Sequence, residues 1–211
     1  MGERKRGWAD CALCGAHKLT TREHVVPRCL YPPSKATSRF QRIVIPACAA
    51  CNNGTADEDA HFRNVLLLSG ETTQAVAEIW EGSVRRAFAQ VDGQKRASDL
   101  LKMMEAAPEP IEDRYKIYPA RDERVLKIIR KVVRGLCYHH KLLSAVDEGR
   151  VTADVLKFSV PEYFISEMKY YHAEEDILEY FIYMMPEDSD YHSVWFLKFF
   201  ERTIFIAIVS R

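Results

Sequence analysis

Cys11-Ala12-Leu13-Cys14 and Cys48-Ala49-Ala50-Cys51 decide how the amino-terminal part of this 211-residue chain folds. Each stretch places two residues between its thiols, a spacing that lets one tight turn present both sulfurs to a single zinc ion. One such pair also occurs in redox dithiols, but two pairs predict a tetrahedral four-cysteine zinc site. The pairs are separated by 33 residues, more than in a simple zinc ribbon. The sequence therefore predicts a folded insert between them.

The insert has the pattern of two short strands, and a helix follows the second cysteine pair. In Glu23-His24-Val25-Val26-Pro27 the two valines favour a strand, which the proline ends because it has no N–H to donate. Residues 42–46, Arg-Ile-Val-Ile-Pro, have the composition of a second strand. Thr55 with Glu58 three residues later is typical of a helix amino terminus. These elements predict a ββα unit that zinc holds together at its base.

The pair Glu23-His24 between the cysteine pairs, followed by Cys51-Asn52, resembles the HNH (ββα-metal) endonucleases. It is closest in pattern to the zinc-stapled branch, which includes phage Holliday-junction endonucleases. The resemblance covers residues 8–68 and implies an α+β fold with this unit at its start. It implies that Glu23 and Asn52 hold a catalytic divalent metal and that His24 is the general base. It also implies that the four paired cysteines hold a structural zinc: Cys11, Cys14, Cys48 and Cys51.

The sequence departs from the family pattern at two positions. Aspartate more often precedes the histidine, and Glu23 is one methylene longer. The asparagine that the family has shortly before the second cysteine pair is missing, and Gln41 is at best its substitute. His61 lies nine positions after Asn52, about 13 Å away along a helix, so we do not expect it in the catalytic centre.

The chemistry of phosphodiester hydrolysis calls for the remaining groups. A carboxylate and an amide carbonyl are hard oxygen ligands that suit Mg²⁺ or Mn²⁺ rather than zinc. A neutral imidazole can take a proton from water near pH 7. Arg22 and Arg28 flank the centre and are expected to hold phosphate. The sequence therefore predicts two metal sites with different tasks.

The rest of the chain predicts helices and then a β-rich module. We expect a helical connection over 69–118 and an α+β module over 119–211. A strong amphipathic helix at about 121–143 has a regular apolar face, and its basic residues are read equally well as a phosphate-contacting face or as a solvated one. Residues 177–185 and 194–209 are aromatic and β-branched, which predicts a hairpin of two long strands, with 155–160 alongside. The full fold class is thus a zinc-stapled ββα-metal (HNH) unit followed by helices and a C-terminal antiparallel hairpin or sheet.

Charge and composition limit the partners. Thirty basic and thirty acidic residues give a net charge of zero, but residues 1–52 hold nine basic against three acidic residues, a local balance of +6 that suits a polyanion. The absence of a long apolar run and of a signal peptide predicts a cytoplasmic protein with no membrane partner.

The sequence thus predicts an HNH endonuclease that hydrolyses DNA phosphodiester bonds. Two alternatives stay open. In the first alternative, the chain is a non-catalytic zinc module that binds nucleic acid or protein. In the second, it is a nuclease subunit of a phage-defence system and needs a partner for activity. A homodimer or a partner subunit would then dock on the C-terminal module. DNA and RNA are not distinguished by the sequence.

Overall fold

The computed structural model describes residues 7–35, 42–68, 73–106, 116–117, 122–158, 160–174, 176–201 and 203–211. Gln41, the substitute for the missing asparagine, lies outside the described residues. The helices and strands of the described residues are β1 (Gly7–Asp10), β2 (His17–His24), β3 (Val44–Cys48), α1 (Ala49–Asn53), α2 (Ala56–Leu68), α3 (Gln74–Ile79), α4 (Arg85–Ala89), α5 (Val91–Met103), β4 (Glu105–Ala106), β5 (Lys116–Ile117), α6 (Glu123–His139), β6 (Val151–Val155), α7 (Glu162–Ser166), β7 (Lys169–Glu174), β8 (Leu178–Met184), β9 (Tyr191–Phe199) and β10 (Thr203–Ser210).

The amino-terminal strands form an antiparallel sheet in the order β1-β2-β3. Glu23 pairs with Ile45 and His24 pairs with Val44, so the acid and the histidine lie on the last two rungs of the β2–β3 ladder. The predicted strand at 42–46 is observed two residues later. Helix α1 begins directly after β3, which places the second cysteine pair at the junction of strand and helix. The mixed α+β class predicted from the sequence is confirmed.

The C-terminal strands form a five-stranded antiparallel sheet in the order β6-β10-β9-β8-β7. The prediction of one long strand over 194–209 was wrong, because the chain turns between β9 and β10. Phe200 and Glu201 take positive φ angles of 48° and 62° at this turn. Tight hairpin turns with positive φ are usually signalled by Asn-Gly or Asp-Gly, and neither pair occurs here.

Helix α6 is the element that both sheets share. It packs against α2 and β3 on one side and against β6 and β10 on the other. Its predicted apolar face is confirmed, since Val125, Ile128, Val132 and Leu136 are all fully buried. Gly135 allows the close approach to the first sheet, because a Cβ atom there would lie 2.9 Å from Cγ2 of Val25.

The basic residues of α6 are engaged with acidic or backbone partners, which argues against the phosphate-contacting interpretation of this helix. Lys127 binds Glu58, and Arg130 binds both Glu123 and Glu148. Arg134 donates to the carbonyl oxygens of Leu13 and Val146.

In the part of the chain that the structure describes, no helix is both long and apolar enough to cross a membrane.

Candidate metal centre and active site

The four paired cysteines meet at the base of the first sheet, as the spacing of the pairs predicted. The sulfur atoms of Cys11, Cys14, Cys48 and Cys51 all lie within 4.8 Å of one another. The Sγ atoms of Cys14 and Cys48 are 3.9 Å apart, close to the roughly 3.8 Å edge of a tetrahedron with Zn–S bonds of about 2.3 Å. The cluster therefore fits a structural zinc.

The electrostatics of the cluster also fit a cation. Burial and the neighbouring sulfurs raise the pKa of the Cys51 thiol, because several thiolates cannot share a small volume without a counter-charge. For Cys11, burial acts to raise the pKa, but hydrogen bonds from backbone N–H groups outweigh it and lower the pKa to about 7. One of these donors is the backbone N–H of Cys48, 3.4 Å from Sγ of Cys11. A zinc ion would supply the charge that holds all four sulfurs as thiolates.

Glu23, the predicted metal ligand, lies inside the molecule and is paired with Lys131 of α6. Both side chains are 9% exposed, and Nζ of Lys131 lies 2.5 Å from Oε1 of Glu23. Lys131 also donates to Oγ1 of Thr55 at 2.8 Å. No sequence pattern indicates this contact, because the partners are more than a hundred residues apart.

Asp59, in the first turn of α2, shares the same buried surroundings. Burial raises the pKa of Glu23, Lys131 acts to lower it, and Asp59 raises it further. Burial likewise raises the pKa of Asp59. Among the described residues, Oδ1 of Asp59 is buried without a hydrogen bond. The charge of one ammonium group, that of Lys131, thus acts on two buried carboxyl groups.

Asn52 lies on the same face of β2 as Glu23. Its amide nitrogen donates to Oγ1 of Thr21 at 2.7 Å and to the carbonyl oxygen of Arg22 at 3.4 Å. Thr21 and Glu23 are two residues apart on a strand, so their side chains project to the same side. Since the amide nitrogen is used in these bonds, the amide oxygen of Asn52 is the atom suited to a cation.

His24 is the last residue of β2 and lies in arginine-rich surroundings. Burial lowers its pKa, and the charges of Arg28, Arg42 and Arg22 lower it further, to about 4. Nδ1 of His24 is buried and makes no hydrogen bond within the described residues. Because its pKa lies well below 7, the imidazole is neutral at physiological pH. The predicted arginines Arg22 and Arg28 are both exposed here.

Arg42 is a member of this cluster that the sequence interpretation did not single out. Its guanidinium group lies 4.1 Å from the ring centroid of Tyr31 and donates to the carbonyl oxygen of Lys35 at 3.1 Å. Its position two residues before β3, near the predicted base, was the only signal in the sequence.

His61, which we did not expect in the catalytic centre, binds Asp122 at 2.8 Å and so joins α2 to the start of α6.

No family model matches this chain, and no curated protein or solved structure matches it significantly. The resemblance to HNH endonucleases therefore rests on the residues and on the geometry described above.

Proposed function

We propose that the chain is a metal-dependent HNH-type endonuclease that hydrolyses phosphodiester bonds in DNA. The observation that carries the proposal is the setting of His24. Its imidazole is neutral and lies near three arginines, at the end of a strand in the sheet that the four-cysteine cluster holds together. Glu23, which directly precedes His24 on β2, offers a carboxylate, and Asn52, which is bonded to Thr21 of the same strand, offers an amide oxygen.

Each of these side chains has a task in phosphodiester hydrolysis. Arg22 and Arg28 bind the phosphates on either side of the scissile bond and orient it. His24 accepts a proton from the attacking water, a contribution of about 10²–10⁴-fold for a well-placed base. Glu23 and Asn52 would hold Mg²⁺ or Mn²⁺, which supplies stabilisation of the negative charge that develops on the phosphate. The four cysteines, all engaged by zinc, keep the hairpin in place and take no part in the chemistry.

The pKa of His24 makes its basicity depend on bound phosphate. An imidazole with a pKa of about 4 is unprotonated but accepts protons weakly. Burial is the larger cause of the low pKa, but a phosphodiester among the three arginines would offset their positive charge and so act to raise the pKa of His24. The substrate would thus strengthen the base that acts on it.

A second function is favoured by the pair between Glu23 and Lys131. The ammonium group of Lys131, 2.5 Å from Oε1 of Glu23, already supplies a positive charge to the carboxylate that a catalytic metal needs. If this pair excludes the metal, the chain is a non-catalytic zinc module that binds nucleic acid or protein through its arginine-rich face.

Plasmid cleavage with Mg²⁺ or Mn²⁺ separates the two functions. The proposal predicts that the wild-type chain nicks or linearises the plasmid and that His24→Ala lowers the rate by at least about a hundredfold. His17→Ala is the matched control, because His17 lies on the same strand but is exposed and bonded to Asp10 at 2.8 Å. All preparations must carry equal zinc.

The outcomes are distinct. Equal activity of wild type and His24→Ala would remove His24 as the base. No cleavage of plasmid or of single-stranded DNA by any preparation would contradict the nuclease and support the zinc-module function. Loss of activity in His17→Ala as well would show that the effect is not specific to the proposed base.

A further inference from the structure

A groove of about 900 Å³ separates the first sheet from the C-terminal module. One wall is formed by the β2–β3 hairpin, with Arg22 and Arg42, and the other by the end of α6 and by β7 and β8. Val44, the partner of His24 in the β2–β3 ladder, also lines the groove. His24 itself does not line the groove, but its ladder partner Val44 and Arg22, two residues before it on β2, do.

Among the described residues that line the groove, the permanently charged side chains are all positive. Arg22 and Arg42 supply two permanent positive charges on the hairpin wall, and three histidines stand on the opposite wall: His139, His140 and His172. No aspartate or glutamate is found among the described residues that line it. This arrangement is complementary to a phosphodiester backbone, although the chain as a whole is neutral.

An aromatic platform forms part of the far wall. The rings of Tyr171 and Tyr180 stack with their centroids 5.2 Å apart and their planes at 12°. His140 packs on Tyr171 at 4.5 Å and hydrogen-bonds the hydroxyl of Tyr180 at 2.7 Å. Because Tyr180 is fully buried, it holds Tyr171 and His140 in fixed orientations, while both of these remain partly exposed to the groove.

We propose that this groove binds an unpaired polynucleotide strand, with its phosphates on Arg22 and Arg42 and a base stacked on the Tyr171–His140 platform. The inference rests on the proposed function, since it names the form of nucleic acid that reaches His24. Aromatic rings stack on unpaired bases and gain nothing from bases that are still paired within a duplex. The volume lies in the range of about 300–1,000 Å³ that is typical of ligand sites, which suits a few unpaired nucleotides.

Fluorescence anisotropy with labelled oligonucleotides tests the inference. Single-stranded DNA, single-stranded RNA and a DNA duplex are titrated with the zinc-loaded chain, without added Mg²⁺ or Mn²⁺ so that nothing is cut. We expect both single strands, or one of them, to bind more tightly than the duplex. Tyr171→Ala should weaken that binding by roughly tenfold, and Tyr171→Phe, which keeps the ring, should retain it.

Two matched controls lie on the same strands. Tyr170 is 51% exposed and packs against Phe181 with the ring planes tilted by 44°, on the other face of the sheet, so Tyr170→Ala should leave binding unchanged. Arg22→Ala should reduce the slope of log affinity against log salt by about 0.7. Lys18→Ala, an exposed cation of β2 outside the groove, should not change the slope.

The inference is overturned if the duplex binds as tightly as the single strands, if Tyr171→Ala binds like Tyr170→Ala, or if no oligonucleotide binds. Its failure is distinguishable from failure of the nuclease. A chain that binds the single strand without cutting DNA supports the groove and contradicts the nuclease. If the wild-type chain cuts DNA and Tyr171→Ala binds and cuts equally well, the groove is contradicted but the nuclease is not.

Discussion

Replacing Lys131 by methionine tests whether the buried Glu23–Lys131 pair stabilises the fold. The variant keeps most of the side-chain volume but leaves Glu23, 7% exposed, and the neighbouring Asp59 without their shared ammonium group. Removing one partner of a buried ion pair costs about 3–5 kcal/mol. Since a domain of this kind is stable by about 5–15 kcal/mol, Lys131→Met should lose a large part of its free energy of unfolding at pH 7.

The loss should depend on pH with a defined sign. Burial raises the pKa of Glu23 and of Asp59 in the folded chain, and Lys131 acts to lower both. Without Lys131 both pKa values rise further above their unfolded values, so the folded state binds more protons than the unfolded state. Stability then falls as pH rises. The deficit of the variant should be smaller at pH 5 than at pH 7.

Urea unfolding followed by circular dichroism, with zinc present, measures both effects. Lys127→Met is the matched control, because Lys127 lies one turn earlier on α6 and binds Glu58 at 2.6 Å, but their side chains are 34% and 22% exposed. Exposed pairs contribute at most about 1 kcal/mol. The stabilising role of the Glu23–Lys131 pair would be contradicted if both variants lost the same free energy of unfolding. It would also be contradicted if the loss in Lys131→Met were larger at pH 5 than at pH 7.

Two further predictions concern the zinc cluster and the proposed base. Metal analysis should find one zinc per chain in the wild type and in the control variant Cys29→Ser, and none in Cys48→Ser. Cys48→Ser should also unfold, because structural zinc supplies folding energy directly. Equal zinc in both variants would contradict the four-cysteine zinc site. NMR titration of the imidazole should show His24 neutral down to about pH 4. An apparent pKa near 6.5 would show that His24 is neither buried nor surrounded by arginines as described.

The sequence predicted the elements that depend on short-range pattern. The spacing of the cysteine pairs predicted their convergence, because only one geometry lets four thiols share a cation. The apolar period of α6 predicted its buried face. The composition of β3 predicted a strand to within two residues, since β-branched residues in an extended run have few other structures available.

The sequence did not predict features that depend on long-range contacts. Nothing local pairs Lys131 with Glu23, because the contact exists only once α6 packs against the first sheet. The turn at Phe200–Glu201 was missed because neither residue type usually takes a positive φ. The groove was missed for the same reason as the ion pair: its two walls come from β2–β3 and from β7–β8, which are far apart in sequence.

The proposed function depends most on a second, catalytic metal centre held by Glu23 and Asn52, and direct Mn²⁺ binding tests whether it exists. Electron paramagnetic resonance of the zinc-loaded chain titrated with Mn²⁺ should show one bound ion per chain, lost in Glu23→Gln and in Asn52→Ala. It should be retained in Glu58→Gln, whose acid binds Lys127 outside the centre. Absence of bound Mn²⁺ in the wild type, or equal binding by Glu23→Gln and Glu58→Gln, would contradict the account and favour the non-catalytic zinc module.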